Sequence, residues 1–238
     1  MPGSKRWPDS KWAEMLGAVL PILDAHRPGT DWWSFGGGTA LTQRLGHRVS
    51  YDIDLFIENA ADLKALTPNA NPAMKRLAGQ NKYDYPGYYL KVPYGAPPVG
   101  EIDIIIATGV TNAPCTDWTF QGRRIQLETV EEILAKKCCF RAGSFKVRDV
   151  FDLAAALHAD PTLLTRLRPT IGERWGLLND RIARLAPTYP EIVATDVNPT
   201  ESGRRFLERG AMDSILDALK DAGRNGPGLA GNGDREDA

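Results

Sequence analysis

Residues 34–57 read SFGGGTALTQRLGHRVSYDIDLFI, and the fold turns on how that stretch is understood. Gly36, Gly37 and Gly38 predict a turn. TALTQRLG predicts a helix that begins at Thr39 and is closed by Gly46, since glycine readily takes the left-handed conformation that ends a helix. VSYDIDLFI alternates and is rich in β-branched and aromatic residues, which predicts a strand. Alternate side chains of a strand share a face, so Asp52 and Asp54 point the same way, about 7 Å apart, while Tyr51, Ile53 and Leu55 face a core. An unpaired buried carboxylate costs several kcal/mol or more to desolvate, so about this much must be offset by something the two acids hold.

Working outward, DSKWAEMLGAVLPILDAH carries apolar residues at helical spacing, and DWWSF reads as a short strand. KRLAGQNKYDYPGYYLKVPYG reads as the end of a helix followed by a strand, and GEIDIIIAT as a central strand, an almost continuous apolar run around one Asp, Asp103. The first half is therefore α/β in character. After about residue 126 the strand signals vanish, and helical segments separated by Gly or Pro follow. The tail RNGPGLAGNGDREDA is too poor in hydrophobes to repay its ordering entropy. The expected organisation is an α/β unit over residues 1–125, a helical unit over 126–222 and a disordered tail over 223–238.

The 238 residues suffice for a real core, and a formal net charge of −1 names no partner by itself. Residues 121–185 hold 12 Lys and Arg against 8 Asp and Glu, a local excess of +4 that leans toward an anionic ligand. Three cysteines, an odd number with no CxxC, argue against a disulfide framework or a zinc site. With no signal peptide and no apolar run able to span a bilayer, the expected location is a reducing, cytoplasmic compartment without membrane partners.

Two carboxylates on one strand face form a natural claw for divalent cations. Asp103 alone reads as a strand-edge acid or a salt-bridge partner; beside Asp52 and Asp54 it reads as the third acid of a two-metal site. The glycines ahead of a helix can bring backbone N–H groups to a phosphate. They match neither a Walker loop nor a dinucleotide fingerprint. Downstream, Lys137 and Arg141 are four apart and share a helix face, and Asp149 either holds a basic group or caps a helix. His47 reads as a turn residue, His26 and His158 as isolated, Trp32 and Trp33 as core or strand-edge aromatics, and Cys138–Cys139 as a buried helical pair.

The spacing of Gly37-Gly38 from Asp52-x-Asp54 resembles the signature of the DNA polymerase β-like nucleotidyltransferase superfamily. More narrowly, GGTALTQRLGHRVSYDIDLF resembles the AbiEii/AbiGii toxin family, through Arg48, Ser50, Asp52, Asp54, Leu55 and Phe56. EEILAKKCCFRAGSFKVRDVFDL resembles the family's second element, through Lys137, Arg141, Arg148, Asp149, Asp152 and Leu153. The resemblance covers residues 30–155. It implies an α+β nucleotidyltransferase unit with a mixed sheet, followed by helices. Asp52, Asp54 and Asp103 would hold two Mg²⁺ ions (or Mn²⁺), and Asp103 would also act as base. Gly37, Gly38, Thr39, Arg48, Ser50, Lys137, Arg141, Arg148, Asp149 and Asp152 would form the nucleotide site, with Lys136 the rival of Lys137 for the triphosphate. The implied reaction moves NMP from an NTP to an acceptor hydroxyl, as on the 3′ end of a tRNA, in a protein opposed by a cognate antitoxin. Transfer to a small molecule such as an antibiotic, and nucleotide or partner binding without catalysis, are the alternatives.

Overall fold

A computed structural model describes residues 7–225; of the expected tail, residues 226–238 lie outside the described residues, and 223–225 belong to the last helix. Six strands, β1 (Trp33–Gly36), β2 (Ile53–Ile57), β3 (Tyr89–Tyr94), β4 (Gly100–Ile106), β5 (Cys115–Phe120) and β6 (Arg123–Glu128), form one mixed sheet in the order β3-β4-β2-β1-β6-β5. The central pairs β2–β4 and β1–β6 are parallel; β1–β2 and the two outer pairs are antiparallel. Helices α1 (Trp12–His26), α2 (Gly37–Leu45), α3 (Ala60–Ala65) and α4 (Pro72–Ala78) intersperse the strands. The rest is helical: α5 (Val130–Phe140), α6 (Val147–Ala159), α7 (Leu163–Ile171), α8 (Trp175–Leu185), α9 (Tyr189–Asp196) and α10 (Arg209–Asn225).

Strand alternation divides the sheet into an apolar and a polar face. Ile53, Leu55 and Ile57 on β2, with Ile102 and Ile104 on β4, are buried on one face, over which Met15, Leu16 and Val19 of α1 pack. Asp54 and Phe56, with Asp103 and Ile105, take the other. Three local expectations change. Helix α2 starts at Gly37 rather than Thr39. Strand β2 starts at Ile53, so Asp52 precedes it, and Tyr51 is only half-buried, stacked on Trp7 with its hydroxyl accepting from the Asn198 amide. The β5–β6 hairpin carries the sheet past residue 125, so the strand-bearing part ends at Glu128.

The chain's late part returns to its early part. Val49 N–H donates to the Asn198 carbonyl (2.8 Å), Thr200 N–H donates to the His47 carbonyl (3.1 Å), and Arg48 bridges Pro199. The loop leading to Asp52 is thereby clamped.

Candidate active site

Pairing across the sheet lines up a row of charged side chains. Asp54 lies opposite Gly36 on one side and Asp103 on the other, and Asp103 lies opposite Lys91. The row opens into a cavity of about 640 Å³, bounded by the sheet, the start of α2 and the turn between α5 and α6. Asp52 enters the same cavity from just outside β2, its carboxylate accepting from Glu101 N–H (3.1 Å).

Gly37, at φ +66°, has no room for a side chain, because the Asp54 carboxylate occupies the space a Cβ would need. At Gly38 a Cβ would stand 2.8 Å from Arg48 Nη2, and Gly38 N–H donates to Asp54. Gly36 is needed for a third reason: the Glu128 carboxylate and the Phe56 ring fill its side-chain space. The three glycines therefore serve close approach first, seating the N-terminus of α2 on the Asp54 carboxylate.

Burial pushes the Asp54 carboxyl up against the opposing pull of Arg141 and Lys137. Burial also raises Asp52, with Asp54 adding to it against the Glu101 N–H. Asp103 is pushed up to about 7 by burial and next by Asp54, although Lys91 Nζ stands 3.3 Å from its Oδ2. Its Oδ1 is buried with no partner. An orphaned oxygen between mutually repelling acids suits a divalent cation, which would relieve both penalties. Among the described residues no three His, Cys, Asp or Glu side chains gather into a cage. Mg²⁺ characteristically uses one or two carboxylates and completes its shell with water and substrate phosphates, so the donor set fits a site that substrate finishes.

Behind the row lies a buried ionic network. Lys137 Nζ donates to Asp149 Oδ1 (2.7 Å) and Asp152 Oδ2 (2.6 Å), and Arg48 grips both oxygens of Asp152 (2.6 and 3.1 Å). His47 Nε2 completes Asp152's partners at 2.7 Å. Burial alone would raise the Asp152 carboxyl, but Arg48, Lys137 and His47 hold it well below the usual carboxylate range.

Residues 21–213 match the family described as nucleotidyl transferase AbiEii toxin, type IV TA system. The chain belongs to the AbiEii nucleotidyltransferase toxin family. It is similar in fold to the crystal structure of JHP933 from Helicobacter pylori, at 16% identity and a TM-score of 0.53, covering 89% of this chain and 90% of that one. A putative nucleotidyltransferase from H. pylori aligns at 15% identity and a TM-score of 0.49, over 89% of this chain and 92% of the other. The antibiotic-resistance factor ANT(2'')-Ia aligns at 17% identity and 0.46, over 72% and 97%. No curated protein matches the chain in sequence. No helix among the described residues is long and apolar enough to cross a membrane.

Within this AbiEii chain several residues differ from their expected roles. Thr39 is fully buried and its hydroxyl donates to the Asp52 carbonyl, so its side chain braces the loop that carries Asp52. Asp152 lies beneath the cavity as an anchor. Lys137 reaches the cavity wall with its charge already shared by two carboxylates, which removes it as a free triphosphate contact. Its rival Lys136 is no freer: it pairs with Glu128 (2.6 Å) and Glu132 (3.2 Å) and lies over the Phe56 ring. Asp149 fills both suggested roles, holding Lys137 and accepting from Lys146 N–H at the start of α6. Arg141 and Arg148 are exposed at the cavity edge, Arg141 with Asp149 no nearer than 3.8 Å. Ser50 and Arg48 line the cavity beside Gly38.

Sequence reasoning missed three residues. Lys91 and Glu101 pair at 2.5 Å beside Asp103, and Glu128 is a buried acid next to Gly36 whose Oε2 lacks a partner. The alternation of YLKVPY offered a signal for Lys91; the other two had none. His47 is no turn residue but a buried anchor stacked on Phe151. His26 and His158 are not isolated either, pairing with Asp62 and Arg205. Cys139 is only partly buried, unlike Cys138.

Proposed function

We propose that this nucleotidyltransferase transfers NMP from an NTP, with a divalent cation (two Mg²⁺, or Mn²⁺), to the 3′ hydroxyl of an RNA, of which tRNA is the leading case, as the toxin opposed by a cognate antitoxin. The observation that carries it is the pairing of Asp54 with both Gly36 and Asp103, which sets a helix N-terminus and two acids at one end of one cavity. The partial positive charge of a helix N-terminus favours phosphate there. Arg141, Arg148 and the neighbouring Lys146 stand at the cavity edge to neutralise the β- and γ-phosphates. Asp52, Asp54 and Asp103 would hold the cations, which when bound neutralise phosphate charge and acidify the attacking hydroxyl. Asp103 accepts that hydroxyl's proton as its oxygen attacks the α-phosphorus in line and pyrophosphate departs.

Purified protein incubated with each α-labelled NTP, Mg²⁺ and total RNA tests the reading. Label entering RNA of tRNA size, lost with EDTA, is the expected result. Label entering only small molecules would move the acceptor to the antibiotic-like class. Overproduction of the protein alone should slow growth of a host, and the Asp54→Ala protein should not; equal arrest by both would separate toxicity from the chemistry.

A further inference from the structure

The cavity's outer lip is formed by residues 140–148, the turn from α5 to α6, and its composition is unusual. Phe140 is 58% exposed although it lines the cavity. With more than half of its surface open, an aromatic ring at a cavity mouth has a face free to stack on a ligand. Arg141 follows it, and exposed Lys146 and Arg148 complete the turn. Helix α8 is docked against the same turn. Arg174, just ahead of α8, donates to the Cys139 carbonyl at the end of α5, Arg181 Nε donates to the Phe145 carbonyl (2.9 Å), and Leu177, itself 49% exposed, packs over Gly143. Leu177, Arg181 and Arg184 are spaced to share one face of α8. The acids on this segment, Glu173 and Asp180, are fewer than the cations around them.

We propose that Phe140 and the cationic lip, continued by α8, are the docking surface for the single-stranded end of the RNA acceptor. This rests on the reading given under Proposed function and locates the acceptor within it. Single-stranded nucleic acid is bound by cationic tracks that follow the backbone and aromatic rings on which bases stack, without need of base-specific hydrogen bonds. A ring at the lip stacks the terminal base while Arg174 and Arg181 meet successive phosphates, and the terminal hydroxyl is thereby directed inward to the Asp54–Asp103 row. Double-stranded ends, whose bases are already stacked, gain nothing from Phe140.

Fluorescence anisotropy of labelled RNA, in the absence of NTP and Mg²⁺, reads this surface directly. A hairpin with a short single-stranded 3′ overhang should bind more tightly than the same hairpin cut blunt. Phe140→Ala should weaken the overhang RNA by about tenfold to a hundredfold, Phe140→Trp should restore it, and the blunt hairpin should not respond. Arg174→Gln should lower the slope of log K against log salt by about 0.7, the value for one phosphate contact on a single strand. In turnover, Phe140→Ala should raise KM for RNA and leave KM for NTP unchanged. Overhang binding unaltered in Phe140→Ala, or a raised KM for NTP alone, would overturn the proposal, the second by giving the ring to the nucleotide base. Because binding is read without chemistry, a failure to transfer to RNA leaves this result standing; normal transfer to RNA by Phe140→Ala sinks the surface and spares the reaction.

Discussion

Asp54 sits where the helix N-terminus, the partner acid and the cavity meet, and its carboxyl is raised by burial. Replacing it with Asn keeps the shape and removes the charge. Transfer should fall by about 10² or more, as when a group that stabilises the transition state is lost. The metal-free protein should melt no lower than wild type, because a repelled carboxylate has been neutralised; transfer of label at near wild-type rate would end the assignment. Asp103 gives a pH dependence. Its folded value of about 7 lies above the ordinary carboxylate range, so the folded state binds the proton more tightly than the unfolded chain. Its stabilising contribution is complete below about pH 4 and is lost as pH rises through about 7. In EDTA, denaturant titrations between those values should show wild-type stability declining with pH and the Asp103→Asn protein declining less. Parallel curves for the two proteins would remove the inference.

At the scale of elements, α5, α6 and the loop after α2 are joined by Lys137, Asp149, Asp152, Arg48 and His47 rather than by apolar packing alone. Taking one ion out of a buried network leaves its partner charged and unpaired, at a cost of about 3–5 kcal/mol. Lys137→Met should therefore be destabilising on that scale in urea titrations, and any kinetic loss should follow from disordering Arg48. A stable Lys137→Met protein with only a raised KM for NTP would return Lys137 to the triphosphate. The sign for Asp152 is opposite to that of Asp103. Its depressed folded value means stability present above the ordinary carboxylate range and lost as pH falls through and below it. What could be read from sequence follows the same division. Strands β1, β2, β3 and β4 announced themselves because alternation is local, and the twin acids were conspicuous inside it. The β5–β6 hairpin was not read: β5 is an edge strand with only Phe120 buried, and its turn uses Gln121 at φ +49° before Gly122 at +79°. His47 finds Asp152 across 105 positions, and Lys91 meets Asp103 only through strand register. Neither pairing leaves a local trace.

For the whole molecule, the cavity matters because it joins the sheet to the helices that follow it. Its walls include Asp54 and Asp103 from β2 and β4, Gly37 and Gly38 from α2, Arg141 from the α5–α6 turn and Arg148 from the start of α6. A ligand that fills it favours the folded state by RT ln(1 + [L]/Kd), about 2.7 kcal/mol at a hundred times Kd. The carboxylates do not form a ready-made cage, so Mg²⁺ alone has few protein oxygens to gather and should raise the melting temperature little. A non-hydrolysable NTP analogue alone brings its negative triphosphate up to uncompensated acids and should also bind weakly. Together each supplies what the other lacks, so the shift for the pair should exceed the sum of the separate shifts. In Asp103→Asn or Asp54→Asn that excess should shrink while the small shift with analogue alone persists or grows, since one repelling charge is gone. Thermal melts with Mg²⁺, analogue and both distinguish the cases. A large shift with Mg²⁺ alone would mean that the acids close on the ion without substrate. Strictly additive shifts would mean that cation and triphosphate do not share a site, and the row from Lys91 to Gly36 would lose its role in the reaction.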